Sequence, residues 1–377
     1  MSLVKEMNER PKGLVYCRYL VGIGHLTRSL NICRSLLKFF DIDLLVGGFD
    51  VNLSLDSPHL RKILLPAVGP QDLASLPESK KLPLPNELID GLNDRYDFFI
   101  TELFPFSKWD FKDEVVAIID KIKKRNPACK VVCSLRDSMP PAPPETDRRI
   151  LNFLNQYYDR VFLHADPRIF LLDESFSLVE ELGDKLIYTG FINNPDADIK
   201  DKQRKKRVVV STGAGSFGEE LFYAAVEVAP FFPDYEFALI TGPKTSAKVE
   251  GEIKLMAKKV GAENISIHSL VKNFQEYLSE SALSISLGGY TIMDVVYTKT
   301  PAIVLPSTFH DQYARGIKFA AFGFLKLISM EDLATDRLCN AITEALVMAT
   351  PPFDVDMSGS QTTCKEIGDL LGKKLYS

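Results

Sequence analysis

Short apolar runs alternate with longer stretches of helical periodicity along most of this chain, and many runs end in glycine or a polar cluster. The clearest sample is residues 284–316. An apolar run over 283–287 reads as a buried parallel strand. Gly288 and Gly289 break it, and 291–297 carries helical spacing of Ile292, Val295 and Val296. Pro301 restarts the chain into a second strand, 302–305, closed by Pro306. A polar loop follows, and Asp311 is placed to cap a helix over 312–319. Strand, glycine turn, helix, strand, loop and helix make a doubly wound α/β unit, in which ligands bind at the carboxyl ends of strands.

The same alternation organises the rest. Strands are expected at 13–19, 43–46, 97–101, 130–134, 160–164 and 185–189, and helices at 112–125 and 145–157. Leu26, Leu30, Cys33, Leu37 and Phe40 form one apolar helix face, which is core. From Leu64 to about Asn93, Pro, Ser and charge replace periodicity, so a long connection with little regular structure is expected there. Asn, Pro, Asp and the basic run 202–207 then interrupt the pattern, reading as a solvated linker rather than a phosphate site. A second series of strands starts at 207–211 and continues at 236–241, 265–268, 283–287, 302–305 and 325–328. A tail helix is expected at 363–374. The fold class is therefore α/β, with two tandem Rossmann-like domains, 1–190 and 207–350, and an interdomain cleft. Residues 191–206 would link them and 351–377 would form the tail.

Composition narrows the function more than the fold. A chain of 377 residues is long for one core. Its hydrophobic content of 46% and charge of 25% are those of an ordinary globular protein. A net charge of -5 argues against a nucleic-acid partner. The six cysteines are scattered, and Cys129 and Cys133 have no second Cys/His pair, so buried reduced thiols are expected rather than zinc. The opening MSLVKEMNERPK lacks the apolar core of a signal peptide, and no stretch approaches the roughly 20 apolar residues of a membrane span. A cytoplasmic location is expected. The aromatic run Phe98, Phe99, Phe104, Phe106, Trp109 and Phe111 would suit a membrane patch. Phe98 and Phe99 fall in a buried strand, however, which argues against membrane contact.

Candidate chemistry gathers at strand ends. Ser211, Thr212, Gly213, Ala214, Gly215, Ser216, Phe217 and Gly218 open the second series and lead into a helix from Glu219. Glycines let backbone approach a phosphate, and a helix N-terminus offers free N–H groups. The spacing matches neither the dinucleotide fingerprint nor a Walker loop. In the first half the corresponding turn runs Gly22, Ile23, Gly24, His25, Leu26, Thr27, Arg28. His25 at a helix start is favoured as a neutral base, and Arg28 lies close enough to meet an anion or carboxylate. The alternative for His25 is a capping or packing role. His59, His164 and His268 read as structural. Asp294 follows Gly288, Gly289 and Thr291, as a ribose contact or as a helix surface acid. His310, Asp311 and Gln312 form a denser set suited to sugar hydroxyls. Glu102, Arg136 and Asp137 stand at first-domain strand ends, where Glu102 or Asp137 serves as base in place of His25 or pairs with Arg136.

On these residues the 284–316 stretch resembles the donor-binding core of GT-B glycosyltransferases of family 28, the MurG-like group. The motifs at 101–106 and 133–137 resemble a less-studied branch of predicted MurG-like enzymes, and the resemblance spans about 13–349. It implies that Ser211, Gly213, Gly215 and Ser216 cradle a diphosphate and that Asp294 meets the ribose. His310, Asp311 and Gln312 would read the sugar, and the backbone at His268 and Leu270 the base. The turn carrying Gly22, Gly24 and His25 would face the acceptor, with residues 64–93 as an acceptor-side loop. The implied activity is inverting transfer from a UDP-sugar to a hydroxyl. The nucleotide sugar is then a substrate, and no cofactor is called for. No Asp-x-Asp pair stands in a suitable loop, so no catalytic metal is implied. A nucleotide-sugar hydrolase of the PseG type and a non-catalytic nucleotide-sugar-binding protein are the alternatives. The long 64–93 segment favours transfer.

Overall fold

The structure, a computed structural model, describes residues 10–19, 23–48, 55–66, 68, 86–92, 94–200, 202–215, 217–306 and 309–375. The chain forms two compact units. One holds Met1–Leu20, His25–Pro195 and Asp356–Ser377, and the other Val21–Gly24 and Asp196–Val355.

The first unit is built on a parallel sheet. Its strands are β1 (Lys12–Arg18), β2 (Asp41–Gly47), β3 (Leu60–Leu64), β4 (Phe98–Glu102), β5 (Lys130–Arg136), β6 (Arg160–His164) and β7 (Leu186–Tyr188). They lie side by side in the order β3-β2-β1-β4-β5-β6-β7, every pair parallel. Among the described residues between these strands stand α1 (Gly24–Leu36), α2 (Asn86–Asp90), α3 (Lys112–Arg125) and α4 (Pro144–Tyr157). β4 is buried along its whole length, as a central parallel strand covered on both faces must be. The strand order reverses between β1 and β4, which makes their carboxyl ends the switch point where such sheets bind ligands.

Most of the aromatic run in and after β4 is interior, with Phe106 and Trp109 half-buried. Phe98, Phe99 and Phe104 are fully buried, and Trp109 packs its ring against Phe104 and Phe153. The expected long connection is interrupted by structure. Leu64 closes β3, α2 follows at 86–90, and residues 69–85 and Asn93 lie outside the described residues. β3 escapes a pattern search because it is an edge strand of sequence LRKIL. Arg61 and Lys62 are exposed, and Arg61 pairs with the buried Asp43 of β2.

In the second unit β8 (Lys205–Ser211), β9 (Glu236–Ile240), β10 (Ile265–His268), β11 (Ser281–Ser286), β12 (Ala302–Val304) and β13 (Lys326–Leu327) form another parallel sheet. The order is β10-β9-β8-β11-β12-β13, with its switch point between β8 and β11. Its helices are α5 (Glu219–Val228), α6 (Ala247–Val260), α7 (Phe274–Ser279), α8 (Thr291–Thr298), α9 (His310–Ala321) and α10 (Thr335–Leu346). Asp311 is not the cap of α9. The helix starts at His310, two residues earlier than expected, behind Phe309 and without a side-chain cap, so Asp311 stands in its first turn.

Two expectations about the connections change. Phe191, Ile192 and Asn193 are buried in the first unit, so the start of the expected linker is packed. The basic run is largely strand. Lys205, Lys206 and Arg207 belong to β8 and pair with Glu280, Asp234 and Glu236. The tail is not separate either. The last helix, α11 (Gly359–Leu370), belongs to the first unit, where Ser360 Oγ donates to the Asn193 carbonyl at 2.7 Å and Cys364 Sγ lies 3.4 Å from the Ser35 carbonyl. All six cysteines are free thiols, and no described helix is long and apolar enough to cross a membrane. Ile367 of α11 is fully buried. Ile367→Ala is expected to cost about 2–4 kcal/mol in chemical denaturation; a loss below about 0.5 kcal/mol would mean that the helix does not pack as described.

Candidate active site

In the first unit His25 stands in the first turn of α1, while Glu102 ends β4. His25 Nδ1 lies 2.7 Å from Glu102 Oε1. Arg28, just under one turn along α1, donates to the same oxygen, and Lys108 Nζ donates to Oε2. Glu102 is 2% exposed. Burial alone would raise its carboxyl, but His25, Lys108 and Arg28 outweigh burial and hold it well below the usual carboxylate range.

An ionised carboxylate at 2.7 Å fixes the imidazole tautomer. Nδ1 carries the proton and donates to Oε1, so Nε2 is left with its lone pair. Arg28 Nη2 lies 3.4 Å from Nδ1, and since both are donors this is proximity about a shared acceptor. Burial pushes the imidazole down to about 4, opposed by Glu102 and reinforced by Lys108 and Arg28. The neutral form expected from the sequence is therefore present, with burial rather than the helix end as its main cause. The His25 side chain keeps 22% of its surface exposed.

Other strand-end groups form a supporting row. Ser134 of β5 is 2.7 Å from His164 Nε2, and His164 Nδ1 is 2.8 Å from the Thr189 hydroxyl. Burial pushes His164 down to about 3, so it stays neutral and structural. Asp137 is buried one residue beyond β5, and its charge reaches His164. Arg136 Nε donates to the Ser138 carbonyl at 3.0 Å. Gly24 opens α1, and Gly22 lies outside the described residues.

The second unit gathers its candidates at the β8/β11 switch point. β8 ends at Ser211, and the chain turns through Gly213 and Gly215, both in the left-handed region (φ 78° and 79°), before α5 begins behind Gly218. A neighbouring turn closes on this one. Gly242, at φ 90°, packs so near that a Cβ there would stand 2.5 Å from the Gly213 carbonyl oxygen, and Lys244 N–H donates to the Ala214 carbonyl. Ser211 and Thr212 are buried at the turn, and among the described residues neither hydroxyl has a hydrogen-bond partner. Ser216 lies outside the described residues.

After β11, Gly288 and Gly289 make the turn into α8, which Thr291 opens. Asp294 is a buried acid and not a surface one. It accepts from Gln275 Nε2 at 2.7 Å, and burial pushes its carboxyl up to about 7 against that bond. His310 is exposed, and Asp311 and Gln312 are half-buried in the first turn of α9. Arg315, buried on the same helix, stands 3.7 Å from Asp311 and 3.5 Å from the carbonyls of Gly288 and Gly289. It thus ties the α9 start to the β11 turn. The carbonyls of His268 and Ser269 accept from Thr241 and Gly242 N–H groups, while Leu270 is 38% exposed. Phe217 and Phe309, both exposed, meet with ring centroids 5.7 Å apart.

Lys108, Thr212, Gln275 and Arg315 are the participants that pattern alone does not mark. Thr212 sits inside a motif that does stand out. Arg315 stands four residues after Asp311 on α9, a spacing that could have marked it, whereas Lys108 and Gln275 are brought in by loop and helix packing that no short spacing encodes.

Comparison with known proteins follows this division. Residues 208–366 match the glycosyltransferase family 28 C-terminal domain. Over 144 residues the chain is 26% identical to a Thermosipho africanus enzyme, UDP-N-acetylglucosamine–N-acetylmuramyl-(pentapeptide) pyrophosphoryl-undecaprenol N-acetylglucosamine transferase. That alignment covers 37% of this chain and 39% of the relative. Among solved structures, a UDP-glucosyltransferase from Polygonum tinctorium superposes with a TM-score of 0.61 at 12% identity, over 97% of this chain and 100% of that one. The calicheamicin glycosyltransferase CalG4 does so with 0.57 at 11%, over 96% and 94%. A Listeria monocytogenes protein described as a putative UDP-N-acetylglucosamine 2-epimerase reaches 0.52 at 12%, over 95% of each chain. These identities establish a shared fold and no more. The chain has the GT-B fold, and its residues 208–366 match the glycosyltransferase family 28 C-terminal domain.

Proposed function

We propose that the protein is an inverting glycosyltransferase that moves a sugar from a nucleotide-diphosphate donor, a UDP-sugar, to a hydroxyl acceptor. The observation that carries the reading is the 2.7 Å contact between a neutral His25 and a buried, ionised Glu102. A carboxylate held that far down is a poor base, whereas Nε2 is unprotonated and its ring remains partly exposed. In the reaction Nε2 accepts the acceptor's hydroxyl proton as that oxygen bonds to the anomeric carbon. The bond from the anomeric carbon to the diphosphate oxygen breaks, and the nucleoside diphosphate leaves with the electron pair. Glu102 orients the imidazole and stabilises the imidazolium that forms. Asp137, buried beyond β5, has a charge that acts at His164, so it is not chosen as base.

The second unit supplies the donor side in this reading. The Gly213–Gly215 turn, the hydroxyls of Ser211 and Thr212 and the N-terminus of α5 suit the leaving diphosphate. An unpaired buried hydroxyl costs about 1–3 kcal/mol, which an incoming phosphate oxygen would recover. Asp294 is assigned to the ribose, His310, Asp311 and Gln312 to the sugar, and the stretch from His268 to Leu270 to the base. With two carbonyls of that stretch already engaged, Leu270 is left as its chief contact. The uracil assignment is supported by the named donor of the Thermosipho relative and by a Phytolacca americana enzyme complexed with UDP-2-fluoro-glucose and pterostilbene. The displacement as drawn uses no cofactor.

Thermal unfolding with UDP, GDP, CDP, dTDP and ADP tests the donor site. UDP is expected to raise the melting point, while Thr212→Val leaves the ligand-free melting point unchanged or higher and loses most of the UDP effect. No response to any of the five nucleotides overturns the donor site. Release of UDP from a UDP-sugar by water alone, at the rate seen with hydroxyl acceptors, would favour a hydrolase.

Asp294→Asn keeps the Gln275 bond and removes the buried charge. The folded carboxyl titrates near 7 and the unfolded one near 4, so its destabilisation is absent below about pH 4 and complete above about pH 7. The variant should match the parent near pH 4 and melt higher at pH 8, and equal melting at both would place Asp294 in solvent.

A further inference from the structure

Lys108 belongs to no sequence motif and to no regular strand or long helix. It closes the loop 103–108, which leaves the carboxyl end of β4 and leads into a single 3-10 turn at Trp109–Phe111. Both ends of that loop, Leu103 and Lys108, are non-glycine residues in the left-handed region, each at φ 64°. Such residues are strained and persist where surrounding contacts over-determine them. For Lys108 those contacts are its Nζ bonds to Glu102 Oε2 and to the main-chain oxygen of Arg18, made by a side chain 10% exposed.

We propose that Lys108 is a positioning residue for the transfer, fixing the rotation of the Glu102 carboxylate so that Oε1 faces His25 while its charge opposes protonation of the imidazole. The inference rests on the assignment of His25 as base. The division of labour follows from geometry. Oε1 is shared by His25 and Arg28, whereas among the described residues Oε2 is held by Lys108. Without Lys108 the carboxylate is free to rotate and one cation fewer opposes it.

Among the described residues, three charged groups act on the ring. Glu102 of β4 draws a proton toward it, and Arg28 of α1 and Lys108 repel one. His164 of β6 is neutral, Asp137 beyond β5 acts at His164, and the Cys17 thiol of β1, pushed up to about 11 by burial and Glu102, carries no charge. Removing Lys108 therefore tips the balance toward the imidazolium.

NMR titration of the five histidines in the ligand-free protein reads this directly, with the His25 signal assigned by its loss in His25→Gln. In Lys108→Met the His25 midpoint should rise by about 1–2 pH units while the other histidines hold, and Lys108→Arg should keep it near the parent value. Lys108→Gly, whose backbone prefers the left-handed region, guards against a folding defect and should show the same rise. An unmoved midpoint in both Met and Gly variants overturns the proposal. So does an equal rise in Lys108→Arg, which would assign the effect to packing. The titration needs no turnover, so it stands or falls apart from the transfer reading. If transfer is established, the acid limb of kcat/KM should move with the same midpoint.

Discussion

A buried negative charge governs the first unit. Glu102, sealed at the end of a central strand, would be prohibitively costly if left alone, and removing one partner from such a group typically costs about 3–5 kcal/mol. Its partners come from separate parts of the chain: the first turn of α1 supplies His25 and Arg28, and the loop after β4 supplies Lys108. Satisfying one carboxylate thus fixes where α1 starts relative to β4 and how the following loop returns. The sheet's strand order makes this possible, because β1 and β4 are neighbours in space although two strands separate them in sequence.

The second unit resolves the same problem in the opposite sense. Where the first saturates its buried polar group, the second leaves the Ser211 and Thr212 hydroxyls without partners among the described residues and sets a Gln275 amide donor against the buried Asp294. Stability withheld at these positions is available to a ligand that brings its own oxygens and hydroxyls. Close-packed glycine turns keep the arrangement rigid, since Gly242 leaves no room for a side chain against Gly213.

Much of this was legible in the sequence. The central strands are apolar runs because both faces are covered, and helix 112–125 coincides with α3 because its apolar spacing is uninterrupted. The His25 turn and the Ser211–Gly218 loop stand out because glycine and polar residues follow directly on such runs. What stayed hidden depends on contacts between distant segments. β3 carries charges paired across to β2, α11 is placed by bonds to Asn193 and Ser35, and Lys108 finds Glu102 only through an unusual backbone conformation. The basic run at 202–207 misleads for the same reason. Its charges are matched by acids on other elements, and no local pattern reports that.

In the proposed transfer His25 acts as the base beside an ionised Glu102. The most direct check compares turnover of a UDP-sugar at neutral pH by the parent chain and by His25→Gln, with UDP-induced thermal stabilisation followed in parallel. Turnover falling about 10²–10⁴-fold with the stabilisation intact is the predicted result. Turnover within about threefold of the parent, with the fold and nucleotide binding intact, would contradict it and move the base elsewhere.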